Sequence, residues 1–243
     1  MRYKIVPIKN VARLAEAGNA LIERPLGMPG MGLVDGHTGY GKTTAVTWFV
    51  TRCHGVFVRA MATSSPLSLL GSILRELDVE PRGSCAEMVE RIVGKLAESR
   101  RPLFVDEADY LVEQRRLVDT LRDIHDLATV PVVMIGMAGI QRKIAAREQL
   151  SGRIAQRVQF YPIDMDDARL MARELCEVEV EDDLLEQIHT KAAGSTRLLV
   201  VGLSSVEDLA KTRRKSKVGL ADWPRERDFF IEPVRRKGPR RVA

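Results

Sequence analysis

Apolar and polar positions along the chain predict strands and helices in regular succession. Residues 9–23 place apolar side chains at roughly helical spacing, and residues 32–35 form a short apolar run that suits a buried strand. The same pattern predicts further strands at residues 55–59, 103–107, 131–136 and 158–161, and helices at 45–50, 65–77, 86–98, 114–127 and 139–148. Strands that alternate with helices predict a parallel sheet covered by helices, the α/β class.

From residue 162 onward the pattern predicts helices only, at residues 164–176, 181–192 and 194–212. We therefore expect three domains: an α/β domain over residues 1–161, a small helical domain over residues 162–212 and a basic tail over residues 213–243. The tail is expected to be loosely ordered, apart from an aromatic cluster that docks on a neighbour. That cluster contains Trp223, Phe229 and Phe230.

The net charge of +5 hides an uneven distribution. From Lys211 to the end the chain carries 12 basic and 4 acidic residues, whereas the preceding part has 26 basic and 29 acidic residues. The positive charge is concentrated in two runs, residues 211–217 and 235–241. A basic terminus of this kind commonly contacts nucleic acid, although a solvated tail that only aids solubility has the same composition. The tail alone does not decide the function.

Composition argues against several classes of protein. The chain has 243 residues, of which 45% are hydrophobic and 29% charged, as is typical of a soluble globular protein. Its 3 cysteines are scattered without a C-x-x-C pair, so we expect neither a zinc cluster nor a disulfide framework. The N-terminal segment does not resemble a signal peptide, and the longest apolar run, near residues 130–140, is too short to span a bilayer. We expect a cytoplasmic protein without a membrane partner.

The glycine-rich segment GHTGYGKTT, residues 36–44, is the most specific motif of the chain. It matches G-x-x-x-x-G-K-[ST] and lies between a predicted strand and a predicted helix, where backbone N–H groups can surround a phosphate. The predicted nucleotide-binding residues are Gly36, His37, Thr38, Gly39, Tyr40, Gly41, Lys42, Thr43 and Thr44. Lys42 would reach the β- and γ-phosphates, and the Thr43 hydroxyl would complete a Mg²⁺ shell. We therefore expect ATP and Mg²⁺ as cofactors.

A second motif lies about sixty residues after the first. The apolar run at residues 103–105 ends in Asp106 and Glu107, and a parallel strand carries such carboxylates to the edge of the sheet where ligands bind. Asp106 would hold the water shell of Mg²⁺, and Glu107 would polarise the attacking water as general base. Residues 6–8 are candidates for the wall of an adenine pocket, although plain core packing explains them equally well.

Four segments now identify a resemblance. The sequences GHTGYGKT, VDEAD, SGRIAQR and GSTR occur in the order found in AAA+ ATPases, and the match covers about residues 5–210. Within that superfamily the GMPGMG and DEADYL stretches resemble the transposition ATPases, namely the B protein of Mu-like phages, TniB and TnsC. The resemblance implies a P-loop NTPase with a parallel five-stranded sheet and a helical lid. It also implies a homo-oligomer, as a ring or filament, that binds double-stranded DNA and directs a transposase in a bacterial or phage-infected cytoplasm.

The resemblance also implies roles for three arginines. Arg197 matches the second sensor, a lid residue that reads the γ-phosphate. Arg153 matches the arginine finger, which reaches a neighbour's γ-phosphate, and Arg157, expected one helical turn further on, competes for that role. The chain departs from the family pattern at the first sensor, because residues 136–139 (GMAG) have no polar side chain. Either another residue substitutes or hydrolysis is slow.

The residues that would contact DNA are less well defined. Arg75, Arg82 and Arg91 are candidates on the inner face of an oligomer, and each is equally explained as a solvated helix charge. Two alternative functions remain open. One is an AAA+ replication initiator or helicase loader, and the other is an ATP-gated protein-remodelling factor without a DNA role.

Overall fold

The computed structural model of the chain describes residues 1–25 and 27–230. They divide into two compact units, one formed by Pro7–Tyr161 and the other by Met1–Val6 together with the chain from Pro162 onward. We name them the α/β unit and the helical unit. Along the chain the second boundary falls after Tyr161, where the sequence pattern changes to helices only. The division into three domains stays a prediction.

The described part of the α/β unit contains five strands and eight helices. The strands are β1 (Met31–Gly36), β2 (Val56–Arg59), β3 (Leu103–Asp106), β4 (Val132–Met137) and β5 (Ile154–Phe160). The helices are α1 (Lys9–Ile22), α2 (Lys42–Arg52), α3 (Pro66–Glu76), α4 (Cys85–Ser99), α5 (Asp109–Val112), α6 (Arg115–Ala128), α7 (Ile140–Ala145) and α8 (Glu148–Ser151). All strands are parallel, in the order β2-β3-β4-β1-β5. The predicted fold class is confirmed.

The burial of each strand follows from its place in the sheet. Every residue of β1 and β3 is buried, because helices cover both faces of a parallel sheet. Strand β5 lies at the edge and alternates between more and less exposed residues. The register pairs Gly36 of β1 with Met137 of β4, so the segments that follow these two strands begin side by side.

Two predicted elements differ from the structure. The helix predicted at residues 139–148 is divided into α7 and α8, because Arg147 leaves the helical conformation and its guanidinium donates to the Val112 carbonyl at 2.7 Å. The strand predicted at residues 158–161 begins earlier, at Ile154. Arg157 therefore lies on an edge strand, and the prediction that it stands one helical turn after Arg153 is wrong.

The helical unit contains α9 (Met165–Leu175), α10 (Asp182–Ala192) and α11 (Thr196–Thr212), as the helical spacing predicts. A short parallel ladder joins β6 (Glu179–Val180) to β7 (Lys217–Val218). Residues 1–6 belong to this unit, and the Arg2 N–H donates to the Leu175 carbonyl at 2.7 Å.

Residues 217–230 fold onto the helical unit, which corrects the prediction of loose order for this part of the tail, and residues 231–243 lie outside the described residues. Trp223 and Phe229 are buried and stack with ring centroids 4.6 Å apart. The Phe229 carbonyl accepts from the Ser205 hydroxyl of α11 at 3.2 Å, and Phe230 packs close to Gly202. The aromatic cluster therefore completes the core of its own unit, whereas docking on a neighbour was expected.

The first basic run, residues 211–217, is largely paired within the helical unit. Lys211 bonds to Glu177 and Glu207 at 2.7 Å, and Lys217 lies 3.0 Å from Glu179. Lys215 forms an ion pair with Asp222. The second run, residues 235–241, lies outside the described residues. Among the described residues, no helix combines the length and the apolar character needed to cross a membrane.

Candidate active site

The glycine-rich loop connects the buried strand β1 to the helix α2. Gly39 and Gly41 adopt φ values of +83° and +85°, in the left-handed region that favours glycine. A Cβ on Gly36 would lie 2.7 Å from the Phe160 carbonyl oxygen, so no side chain fits there either. The first N–H groups of α2 have no partner within their own helix, and together with the positive end of the helix dipole they favour an anion at this end. The local geometry predicted for residues 36–44 is present.

Lys42 lies across this loop. Its Nζ donates to the carbonyl oxygens of Gly36 at 2.6 Å and His37 at 2.9 Å. Burial is the largest influence on its pKa and lowers it. Four carboxylates oppose this lowering: Asp106, Glu107, Asp109 and Asp35. These charges favour the ammonium form, which a phosphate ligand requires.

The other side chains of the loop differ in their exposure to solvent. His37, Thr38 and Thr44 are exposed, and Tyr40 is half-buried. The rings of His37 and Tyr40 meet edge to face, with centroids 5.7 Å apart. Their part in nucleotide binding stays a prediction.

Thr43, in the first turn of α2, and Asp106, the last residue of β3, come together. The Thr43 hydroxyl donates to Asp106 Oδ2 at 3.0 Å, and Asp106 is 3% exposed. Both side chains offer hard oxygen atoms as metal ligands, the type that Mg²⁺ prefers, so the pair fits the expected metal. Arg59 Nη2 lies 3.3 Å from the same carboxylate oxygen. Sequence reasoning missed Arg59, although it ends the neighbouring strand β2 and is paired in register with Asp106.

Glu107 follows directly, in an unusual backbone conformation. Its φ of +55° lies in the left-handed region, which costs a residue other than glycine about 1–3 kcal/mol. Its N–H donates to Asp106 Oδ1 at 2.9 Å, and its side chain is half-buried. Strained backbone of this kind often marks a functional residue, which agrees with the predicted general base.

Residues 136–139, which end β4 and follow it, carry no polar side chain. The Met137 N–H, however, donates to Asp109 Oδ2 at 2.7 Å. Sequence reasoning gave Asp109 no role. The acidic run D-E-A-D placed it near the site, but the contact with β4 depends on the sheet.

The two candidates for the arginine finger lie in different surroundings. Arg153 precedes β5, and its guanidinium donates to both carboxylate oxygens of Asp126 at 2.6–2.9 Å. Arg157 donates to both oxygens of Asp35 at 2.9 and 3.0 Å, and Asp35 is 1% exposed. Arg157 is thus the counter-ion of a buried carboxylate, whereas the Arg153 pair lies closer to the surface. Which of them acts as a finger stays a prediction.

The remaining predicted residues are Arg197 and the candidates for the adenine pocket, residues 6–8. Arg197 is exposed in the first turn of α11, behind the N-cap Ser195, and its role as second sensor stays a prediction. Val6 and Ile8 are buried and Pro7 is exposed. Their contact with adenine stays a prediction.

Of the three arginines considered for DNA, two have local partners. Arg91 donates to the carbonyl oxygens of Glu80 and Arg82, the former at 3.0 Å, and Arg82 forms an ion pair with Glu80. Arg75 is exposed on α3. Their role at DNA stays a prediction.

Comparison with known proteins gives a family match and several similar folds. Residues 27–144 match the family model of the AAA domain. No curated protein matches the chain significantly in sequence.

Among solved structures, the Orc1 protein of Aeropyrum pernix in complex with DNA has a TM-score of 0.64 and 22% identity, over 88% of this chain and 62% of that one. The ORC2 protein of Aeropyrum pernix in its ADPNP–ADP complexes has a TM-score of 0.73 and 17% identity, over 91% and 68%. Cdc6p from Pyrobaculum aerophilum has a TM-score of 0.65 and 17% identity, over 89% and 65%. The chain therefore spans less than two thirds of the length of two of these structures, and the likeness concerns the fold.

Proposed function

We propose that the chain is an ATPase of the AAA-domain family, whose model matches residues 27–144, and that it binds ATP with Mg²⁺ and hydrolyses it. The observation that carries the proposal is the contact between Thr43 Oγ1 and Asp106 Oδ2 at 3.0 Å, beside Lys42 and Glu107. Side chains from β3 and from the first turn of α2 meet there, at the carboxyl edge of the sheet.

Each of these residues has a distinct part in the proposed reaction. Lys42 and the N-terminus of α2 hold the phosphates, and Thr43 and Asp106 hold Mg²⁺ and its water. Mg²⁺, when bound, neutralises the charge that develops on the phosphate oxygens. Glu107 accepts a proton from the water that attacks the γ-phosphate.

Phosphate release by the full chain, with and without Mg²⁺, tests the ATPase proposal. Hydrolysis that requires Mg²⁺ and Lys42 would support it. A chain that binds no nucleotide, or binds it without ever releasing phosphate, would contradict it.

The proposed biological role is that of a DNA-associated ATPase of transposition. It would assemble on double-stranded DNA as a ring or filament, without sequence preference, and activate a transposase at the chosen target. The motif resemblance supports this role, as does the concentration of basic residues after Lys211. Because the lysines of residues 211–217 have acidic partners, the second run, residues 235–241, is the stronger candidate for phosphate contacts. Binding through phosphate contacts should weaken steeply with salt.

A replication initiator or helicase loader is the second candidate. It is favoured by the similar folds of the Orc1, ORC2 and Cdc6p structures, the first of which is a complex with DNA. Both candidates require DNA, so they share one first experiment.

That experiment is binding to random-sequence duplex DNA with ATP, with ADP and without nucleotide, followed by electron microscopy. Rings or filaments that form only with ATP would support a DNA role, and stimulation of DNA strand transfer by a transposase would then select the transposition candidate. Equal, weak binding in all three states would overturn both candidates in favour of a protein-remodelling ATPase.

A further inference from the structure

The exits of β3 and β4 are joined by two hydrogen bonds beyond the end of their ladder. The ladder ends at Val105. Beyond it, the Ala108 N–H donates to the Ile135 carbonyl at 2.8 Å, and the Met137 N–H donates to Asp109 Oδ2 at 2.7 Å. In the second bond a side-chain carboxylate replaces the strand carbonyl of a regular ladder.

Gly136 leaves the space that this carboxylate occupies. A Cβ at Gly136 would lie 2.7 Å from Asp109 Oδ2 and 2.4 Å from Ile140 Cδ1. Both distances are too short for real contacts, so a larger residue would displace the Asp109 carboxylate or the Ile140 side chain. The end of β4 is thus shaped to receive Asp109.

Glu107 lies between the anchored residues. On one side its N–H donates to Asp106 Oδ1, and on the other Ala108 and Asp109 are tied to β4. The strained φ of +55° at Glu107 can persist only if the flanking structure imposes it. Asp109 provides the last of these anchors.

Residues 136–139 contribute no polar side chain, so the carboxylate at the exit of β4 comes from Asp109, which begins α5 after the neighbouring strand β3.

We propose that Asp109 is a positioning residue of the hydrolysis site, which holds Glu107 in its working conformation through the bond to the Met137 amide. The inference rests on the proposed ATPase function. It assigns to Asp109 the structural task of connecting the water-activating turn to the end of β4.

Steady-state ATP hydrolysis and equilibrium binding of a fluorescent ATP analogue, both with the full chain and Mg²⁺, test the proposal. Asp109→Ala should lower kcat about tenfold or more and leave KM within about twofold, since general-base catalysis contributes about 10²–10⁴ in rate. Asp109→Asn keeps an oxygen that can accept from Met137, so it should retain most of the parent's kcat. Gly136→Ala should reproduce the loss, because its methyl group would push against the same carboxylate.

Glu148→Ala is the matched control, because Glu148 begins the short helix α8 as Asp109 begins α5. It should leave kcat unchanged. If Asp109→Ala has the same kcat as the parent, the proposal is overturned. It is also overturned if Asp109→Asn loses as much of the parent's kcat as Asp109→Ala does. Should Asp109→Ala fail to fold, Asp109→Glu takes its place. Its carboxylate is displaced by one methylene, and a parent-like kcat there would also overturn the proposal.

Amide hydrogen exchange separates this proposal from the ATPase proposal. If the parent binds nucleotide but does not hydrolyse it, the ATPase proposal fails, and exchange decides whether Asp109 holds the turn. The Met137 amide should then exchange about fivefold faster in Asp109→Ala than in Asp109→Asn, because one hydrogen bond contributes about 1 kcal/mol. Equal exchange in the two variants would overturn the proposal.

Discussion

Arg157 on the edge strand β5 donates to both carboxylate oxygens of Asp35, which lies one residue before the glycine-rich loop. The two residues are 122 positions apart in the chain. Because Asp35 is almost completely buried, Arg157 neutralises a charge that would otherwise be left without a counter-ion beside the glycine-rich loop.

Arg157→Ala should therefore lower the free energy of unfolding by about 2–3 kcal/mol, less than for a fully buried pair since Arg157 is partly exposed. Arg153→Ala should cost less than about 1 kcal/mol, because its pair with Asp126 is more accessible to water. Urea denaturation of the two variants measures both values. Equal stabilities would show that the buried position of Asp35 does not matter.

Glu107→Gln should bind ATP as tightly as the parent and hydrolyse it about 10²–10⁴ times more slowly, because the amide cannot accept the proton of the attacking water. A fluorescent ATP analogue and a phosphate-release assay measure the two properties. Glu113→Gln serves as control, since Glu113 is an exposed acid that pairs with Lys143. Parent-like hydrolysis by Glu107→Gln would show that another group is the base.

Arg153→Ala should bind ATP normally but hydrolyse it poorly if Arg153 acts on a neighbouring subunit. Mixing it with Glu107→Gln then provides a direct test. Arg153→Ala keeps the general base Glu107, and Glu107→Gln keeps the arginine Arg153. In mixed oligomers some interfaces join an intact base to an intact arginine, so the mixture should recover about 10–50% of the parent's rate of hydrolysis. A mixture no more active than its components would rule out action between subunits, and the same experiment with Arg157→Ala tests the competing candidate.

Cys176 should resist thiol reagents while the helical unit is folded. Burial, helped by the charge of Glu207, raises the pKa of Cys176 to about 12, so its thiolate is scarce at pH 8. Cys85 is exposed and provides an internal reference. Labelling with a chromogenic disulfide at pH 8 should modify Cys85 rapidly and Cys176 only after urea is added. Rapid modification of both residues would contradict the burial of Cys176.

The parts of the site that follow from local sequence were predictable. Lys42 and Thr43 are fixed by the spacing of the glycine-rich motif, and Asp106 and Glu107 by their place at the end of an apolar run. Their contacts, such as Thr43 with Asp106, follow because the loop after β1 and the end of β3 lie at the same edge of a parallel sheet.

The parts that depend on partners distant in sequence were not predictable. The contact of Asp109 with the Met137 amide requires the register of β3 and β4, and no periodic pattern encodes it. The segment around Arg157 has too few apolar residues to distinguish an edge strand from a helix. Residues 217–230 look like a polar tail in the sequence because β7 pairs over only two residues. The aromatic residues that follow β7 pack against α11, a contact that no local pattern indicates.

The left-handed backbone at Glu107 has a consequence for protein engineering. Glycine adopts this conformation most easily, so substitution by glycine would relieve local strain at the position assigned to water activation. A screen that rewards resistance to heat alone would tend to enrich such replacements and to collect inactive chains. Thermostable variants of this protein should therefore be sought with residues 106–109 held constant.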